Sequence, residues 1–132
     1  MSINPPKTIG IVGVRDYKEA LYDNTTYIVR TLELHLRQRN YDINAISVVT
    51  GGGRGVEAII LKWCEAKGVP VRKIPPNIAE FGNKKAFTIR NNNIVSQCDE
   101  LVVFWDGCVD IVSESIITAM HQSKFAAVYP VV

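Results

Sequence analysis

The sequence predicts an α/β protein: a single Rossmann-like, doubly wound parallel sheet of about five strands with helices on both faces. Short runs rich in β-branched residues alternate with segments of helical apolar spacing, in the order β-α-β-α-β-α-β-α-β. The strand runs are continuously apolar, which is typical of strands buried on both faces of a parallel sheet. One domain of this kind accounts for all 132 residues.

The first half of the chain supplies three strands and two helices. KTIGIVGV is a β-branched run that reaches a glycine near its end, so it predicts a buried strand. The next segment places Ile28, Leu32 and Leu36 four residues apart, which predicts an amphipathic helix. AISVVT is a second strand, GVEAIILKWCEAKG a helix that Gly68 ends, and VPVRKI a third strand. These elements cover 7–14, 23–40, 45–50, 55–68 and 69–74.

The second half continues the alternation after one irregular stretch. PPNIAEFG (75–82) is predicted to be either a lid or a simple connection. NKKAFTIRNNNIVSQC predicts a helix, although its asparagines are weak helix formers. ELVVFWD is a fourth strand, SESIITAMHQSK a fourth helix and AAVYPVV the last strand. These elements cover 83–98, 100–106, 113–124 and 126–132.

Composition narrows the functional class. Fifteen basic residues nearly balance thirteen acidic ones, and the net charge of +2 does not indicate a nucleic-acid or membrane-surface protein. No apolar run approaches the roughly 20 residues of a spanning helix, and no signal-peptide pattern is visible, so we expect a cytoplasmic protein without a membrane partner. Three cysteines lie far apart without CxxC, and His35 and His121 fall in helices, so no metal site or cofactor is predicted.

The predicted fold also indicates where a ligand binds. In doubly wound sheets the site lies beyond the carboxyl ends of the strands, where strand order reverses. Those ends carry GVRDY after the first strand, TGGGRG after the second and WDG after the fourth. A strand, a glycine-rich turn and a helix form an anion site, because backbone N–H groups and the helix dipole both favour negative charge. TGGGRG matches neither GxxxxGK(S/T) nor GxGxxG, and a purely structural turn is the alternative.

Four motifs resemble the SLOG superfamily, which includes DNA-processing protein A and the cytokinin-activating LOG enzymes. TGGGRGVE is similar to SGGARGAD, GIVGVRDY to VGSRDF, NKKAFTIRNNNIV to GKAAGPIRNREML, and CDELVVFWDG to ADAVIAFWDG. The motifs keep the family's order across residues 9–107, with most likeness to its small stand-alone YspA-like members. The resemblance implies one nucleotide-ligand-binding domain over residues 1–132, a Rossmann-like fold and a homo-oligomer.

The resemblance also implies roles for individual residues. Arg15 would lie over a base or phosphate, the glycines would hold the phosphate, and Glu57 would accept from a ribose hydroxyl. The alternative for Glu57 is a helix-dipole carboxylate or a partner for Arg54. The alternative for Lys84 is a cation on a solvated basic face of the helix. The alternative for Trp105 is a tryptophan buried in the core. The predicted ligand-binding set is Gly13, Arg15, Asp16, Thr50, Gly51, Gly52, Gly53, Arg54, Gly55, Glu57, Lys84, Arg90, Asn91, Trp105, Asp106 and Gly107.

The first predicted function is binding of a nucleotide or nucleotide-derived signalling ligand, as a sensor or a sequestering protein. The alternative is a nucleoside-monophosphate phosphoribohydrolase, in which Arg90 would orient the phosphoribosyl group. Glu114, Glu57 or Asp106 would then assist water, because an oxocarbenium-like transition state needs a nearby negative charge. Whether the chain is an enzyme stays open; if it is, the catalytic candidates are Glu114, Glu57 and Arg90.

One departure from the family favours binding over cleavage. LOG enzymes carry a second glycine loop, PGGxGTxxE, where this chain reads WDGCVDIVSESI, with Ile111 and Val112 at the Gly-Thr positions. Bulky β-branched residues would restrict a second phosphate there. Single-stranded DNA binding is the third candidate, by analogy with the DNA-processing branch. Nucleic acid is nevertheless not expected as a partner, because no basic-aromatic stripe accompanies the small net charge.

Overall fold

A computed structural model describes residues 7–15, 24–108 and 110–131. Its five strands form one parallel sheet in the order β3-β2-β1-β4-β5. The predicted fold class is therefore confirmed. The strands are β1 Lys7–Gly13, β2 Ile46–Thr50, β3 Val71–Lys73, β4 Glu100–Trp105 and β5 Phe125–Pro130. The helices are α1 Asn24–Gln38, α2 Val56–Lys67, α3 Ile78–Phe81, α4 Asn83–Gln97 and α5 Ile111–His121, and a short 3-10 turn spans Ile43–Ala45.

Helices cover both faces of the sheet, because successive strand side chains point in opposite directions. On β1, Ile9 and Ile11 belong to the core cluster that includes apolar residues of α1 and α2. Val12, between them and the end of the strand, belongs to a second cluster with residues of α4 and α5. The continuous apolar runs that predicted a doubly covered sheet thus supply two separate cores.

Strand β1 lies at the centre, and strand order reverses beside it. It pairs with β2 on one side, with Ile11 opposite Thr50, and with β4 on the other, with Gly13 opposite Phe104. The carboxyl ends of β1 and β4 therefore lie next to each other at the reversal. This is the position at which parallel α/β sheets bind their ligands.

Apart from shifts of a few residues at other element ends, the structure differs from the predicted elements most clearly at three places. The stretch predicted as irregular contains α3, whose first turn begins where the Asn77 side chain accepts the Glu80 N–H. Helix α5 begins at Ile111 rather than Ser113, because the Asp110 carboxylate caps it by accepting the N–H groups of Val112 and Ser113. Strand β3 has only three residues, all exposed, since it forms an edge of the sheet.

Candidate functional site

A pocket opens at the carboxyl edge of the sheet between the ends of β1 and β4. We call it the inner pocket, and its volume is about 200 Å³. The end of β1, helix α4, the segment after β4 and the first turn of α5 all contribute to its wall. The lining residues are 13–15, Phe87, Arg90, Asn91, Asp106 and 110–112.

A second, more open cavity of about 430 Å³ adjoins the inner pocket, and we call it the outer pocket. The two pockets share Arg15, Phe87 and Ile111, so they form one continuous groove along α4. The outer pocket adds Ile78, Asn83 and the exposed Lys84. A ligand larger than the inner pocket can therefore extend past Phe87 into the outer pocket and reach Lys84.

Two arginines converge on one aromatic ring at the boundary of the two pockets. The guanidinium carbon of Arg15 lies 4.1 Å from the centre of the Phe87 ring, and that of Arg90 lies 5.1 Å from it. Arg15 is exposed, whereas Arg90 is only 3% exposed. Each cation gains from the negative face of the ring. The two positive charges repel each other, so this wall of the groove favours an anion.

Arg90 is held in place by its neighbours. Its Nε donates to Asn91 Oδ1 at 2.7 Å, and its Nη1 donates to Glu57 Oε1 at 3.3 Å. Burial lowers the pKa of Arg90 and the nearby Arg15 lowers it further, while Glu57 opposes both. Burial likewise raises the pKa of Glu57, and Arg90 opposes that shift. Desolvation thus exceeds the attraction within this buried pair, as is common for ion pairs removed from water.

The glycine loop after β2 lies beside the groove but lines neither pocket. The Gly53 N–H donates to Glu57 Oε1 at 3.0 Å, so a carboxylate of the chain itself occupies that donor. The Thr50 hydroxyl donates to the Ile11 carbonyl and is fully buried. Among the predicted phosphate ligands, these groups serve contacts within the protein in this structure.

The opposite wall of the inner pocket is acidic. Asp106 Oδ1 accepts the Cys108 N–H at 3.0 Å, and Asp110 Oδ1 accepts the Val112 N–H at 2.9 Å. Asp110 thereby satisfies the start of α5, the place where the LOG enzymes would bring a second glycine loop. The groove has cations on its β1 and α4 side and carboxylates on its α5 side, so it suits a ligand with an anionic end and a hydrogen-bond-donating end.

The structure brings together only part of the predicted site. Six predicted residues line the groove: Gly13, Arg15, Arg90, Asn91 and Asp106 line the inner pocket, while Lys84 joins Arg15 in the outer one. Trp105 is half-buried and donates to the Cys108 carbonyl, and the exposed Gly107 lines neither pocket. The exposed Glu114 accepts from Thr88 outside both pockets. Arg54 is exposed on the glycine loop, and Asp16 lies outside the described residues.

The sequence prediction missed several residues that line the groove, Phe87 foremost among them, and one contact of the neighbouring glycine loop. Phe87 forms the floor on which both arginines lie, and its position between Lys84 and Asn91 on one helix face was the available signal. Lys73 lies at the end of β3, where its stem carbons approach the bare backbone of Gly52. Nothing in the local sequence indicates that contact, since it depends on β2 and β3 pairing in parallel.

Comparison with known proteins places the fold. The sequence matches no protein-family model and no curated protein. Two solved structures share the fold over 97% of this chain. One is DNA processing protein A from Streptococcus pneumoniae, with a TM-score of 0.71, 15% identity and 51% of its own length covered. The other is DNA processing protein A from Helicobacter pylori, described for its single-stranded DNA binding mode, with a TM-score of 0.68, 19% identity and 67% covered.

These likenesses confirm the Rossmann-like fold that the SLOG resemblance implies, and this chain spans only about half the length of the first protein. The YspA-like subtype, the homo-oligomer and the cytoplasmic location stay predictions. Along the described ranges, no helix is both long and apolar enough to cross a bilayer. The expectation that nucleic acid is not a partner is wrong, because a protein with this fold is described as binding single-stranded DNA. Net charge over a whole chain says little about a local groove that contains three cations.

Proposed function

We propose that this chain binds a nucleotide-type ligand in the groove, with a phosphate between Arg15 and Arg90, as a sensor or a sequestering protein. The observation that carries the proposal is the convergence of both guanidinium groups on Phe87 at the switch point of the sheet. Two neighbouring cations, one of them buried, are stabilised most by a ligand that carries at least two negatively charged oxygens. Guanidinium groups match phosphate geometry with paired hydrogen bonds.

The sizes of the two pockets support the same proposal. The inner pocket, at about 200 Å³, lies below the roughly 300–1,000 Å³ typical of complete small-molecule sites, so it takes only part of a nucleotide. The phosphate occupies that part, where both arginines reach it. Asp106 accepts from a sugar hydroxyl or a base amino group. The remainder of the ligand extends into the outer pocket, whose walls include the apolar Ile78 and Ile111.

Single-stranded DNA is the second candidate ligand, and one observation favours it. The shared fold occurs in a Helicobacter pylori protein that is described as binding single-stranded DNA. The groove here is open along α4, and Lys84 provides a further cation beyond Arg15. A strand could place one phosphate between the arginines and the next one near Lys84. Sites that bind single-stranded nucleic acids commonly combine cations with aromatic side chains.

The proposed function predicts that Arg15→Ala and Arg90→Ala each weaken binding by about 1.5–3 kcal/mol, the range for hydrogen bonds to charged groups. The probes are the four common ribonucleoside monophosphates, thymidine monophosphate and an oligothymidylate of about 10 nucleotides. Calorimetry measures the monophosphates and fluorescence anisotropy the labelled strand. Lys85→Ala is the matched control, because Lys85 is an exposed cation on the same helix that lines neither pocket.

The pattern across probes separates the two candidates. A free nucleotide ligand gives measurable binding of one or more monophosphates with little gain from a longer strand. Single-stranded DNA gives binding at least about tenfold tighter for the oligothymidylate than for thymidine monophosphate, and that affinity falls steeply with salt. Unchanged affinity in both arginine variants, or no binding of any probe by the unaltered chain, would overturn the proposal.

We also expect slow or undetectable release of free base from nucleoside monophosphates. Hydrolysis needs a carboxylate held against the anomeric carbon, and positioning supplies much of its rate. Glu114 lies outside both pockets, and Glu57 Oε1 already accepts from Gly53 and Arg90. Asp106 does line the inner pocket, but its Oδ1 already accepts the Cys108 N–H. Chromatography of incubated nucleotides checks this. Rapid base release that disappears in Glu114→Gln with binding preserved would instead favour the phosphoribohydrolase; loss in Glu57→Gln alone would locate the chemistry at the first loop.

A further inference from the structure

Gly51 and Gly53 lack side chains for a reason of space rather than of backbone conformation. Only Gly52 and Gly55 in this loop have a positive φ, at 73° and 76°. A Cβ on Gly51 would overlap Arg90 Nη1 and would lie 2.8 Å from Glu57 Oε1. A Cβ on Gly53 would lie 3.0 Å from the same carboxylate oxygen. The bare backbone at these two positions therefore makes room for the Arg90 and Glu57 side chains.

One carboxylate oxygen joins the loop to Arg90. Glu57 Oε1 accepts from the Gly53 N–H at 3.0 Å and from Arg90 Nη1 at 3.3 Å. Glu57 is fully buried and Arg90 nearly so, and Asn91 fixes the other side of the guanidinium through Nε. Among the described residues, Glu57 Oε2 has no hydrogen-bond partner, so both of the contacts above are made by Oε1. The guanidinium is held between bare backbone, a buried carboxylate and the Phe87 ring.

We propose that Gly51, Gly53 and Glu57 form an arginine seat, which positions Arg90 for the ligand phosphate without contacting the ligand. The inference rests on the proposed function, because it assigns the glycine loop an indirect role in that same binding. Neither pocket wall includes Gly51, Gly53 or Glu57, whereas Arg90 lines the inner pocket. The loop therefore acts on the ligand through one side chain 33 positions from Glu57.

A double-mutant cycle tests the arginine seat, because it isolates the coupling between contacting residues. Gly51→Ala and Glu57→Gln are each expected to weaken binding of the tightest monophosphate probe by about tenfold or more. Placed in the Arg90→Ala background, neither change should weaken binding further, since the residue they position is gone. Glu57→Asp should restore part of the lost affinity. Glu65→Gln, an exposed carboxylate on the same helix, should bind like the unaltered chain.

Persistence of the full effect of both changes in the Arg90→Ala background would overturn the inference, because it would mean that the loop contacts the phosphate directly. Absence of binding by the unaltered chain would instead overturn the proposed function. If Gly51→Ala does not fold, the Glu57→Gln arm decides. A third measurement uses the unaltered chain: its Gly53 amide proton, already donated to Glu57, should shift little in NMR spectra on addition of the probe. A large downfield shift would indicate direct phosphate binding and contradict the seat.

Discussion

Replacement of Glu100 by alanine is expected to lower the free energy of unfolding by about 3–5 kcal/mol, because it removes a buried acceptor shared by three side chains and leaves buried polar groups without a partner. Glu100 begins β4 at the end of the sheet opposite the groove, and it is 2% exposed. Its Oε2 lies at hydrogen-bond distance, 2.6 Å, from His35 Nε2, and its Oε1 accepts from Tyr41 Oη at 2.6 Å. Arg39 Nη2 donates to the same Oε1 at 2.9 Å.

The loss is large because the partners depend on this one carboxylate. His35 is 3% exposed, and its other ring nitrogen contacts the Tyr129 hydroxyl at 2.6 Å, so the network continues to β5. Without Glu100, the imidazole Nε2 is left buried without an acceptor, which costs more than the mean hydrogen bond gains. Arg39 contributes less, because its side chain is 40% exposed and water replaces its partner.

The pH dependence of stability provides a second test of the role of Glu100. Burial raises the pKa of Glu100, but hydrogen bonds from Arg39, Tyr41 and His35 together outweigh burial and hold that pKa below the ordinary 4.5. A group with a lowered folded-state pKa adds stability above its unfolded value and loses it as the pH falls through the folded value. Urea titrations between about pH 5 and pH 3 should therefore show a shallower loss of stability in Glu100→Gln than in the unaltered chain.

Exposure supplies the control for the Glu100 substitutions. Glu65→Ala removes an exposed carboxylate from α2 and should change the free energy of unfolding by less than about 0.5 kcal/mol. Equal effects of Glu100→Ala and Glu65→Ala would contradict the prediction. If stability falls equally steeply with pH in Glu100→Gln and in the unaltered chain, other carboxylates determine the loss of stability in acid.

Local sequence was sufficient to predict the sheet but not the contacts between distant elements. The β-branched runs and the intervening helical spacing predicted every strand of the sheet, because burial on two faces leaves a visible apolar pattern. The His35–Glu100 contact joins residues 65 positions apart, and each one by itself looked like an ordinary helix or strand residue. Edge strands were less well defined, since exposure on one side weakens the apolar pattern that reveals them.

The same limit explains what could be predicted of the site. The switch point, Arg15 and Arg90 followed from topology and motif, and the structure lines the inner pocket with both arginines. The partner of the Gly53 N–H could not be predicted from the sequence. A buried Glu57 carboxylate and a bound phosphate both require glycines at these positions. The alternative partner considered for Glu57 was Arg54, three positions before it, whereas the structure pairs it with Arg90 from another helix. The spacing of the glycines alone does not show whether the loop binds a ligand phosphate or a carboxylate of the protein itself.

The glycine loop also yields the second large effect: Gly55→Ala is expected to lower the free energy of unfolding by about 3 kcal/mol or more. Gly55 precedes α2 with φ 76° and ψ −131°, a region that L-residues rarely occupy. A Cβ there would lie 2.6 Å from the Arg15 carbonyl oxygen and closer still to that of Val14. Both obstacles are backbone atoms, so no side-chain rotation relieves them. Thermal and urea unfolding measure the loss.

Gly68→Ala is the reference for a left-handed glycine without collision, because Gly68 has φ 70° and ψ 26° and an added Cβ meets nothing within 4 Å. That variant bears only the cost of left-handed backbone, about 1–2 kcal/mol. The excess loss in Gly55→Ala therefore reflects its less accessible backbone region (ψ −131°) together with the close approach of the loop to the end of β1, where the Val56 N–H also donates to the Val14 carbonyl. That approach sets the backbone from which Arg15 extends, so surviving Gly55→Ala protein should also bind the probes more weakly than Gly68→Ala. Equal losses of stability in both variants would contradict the prediction, because they would show that the close approach of the loop to the end of β1 adds no cost.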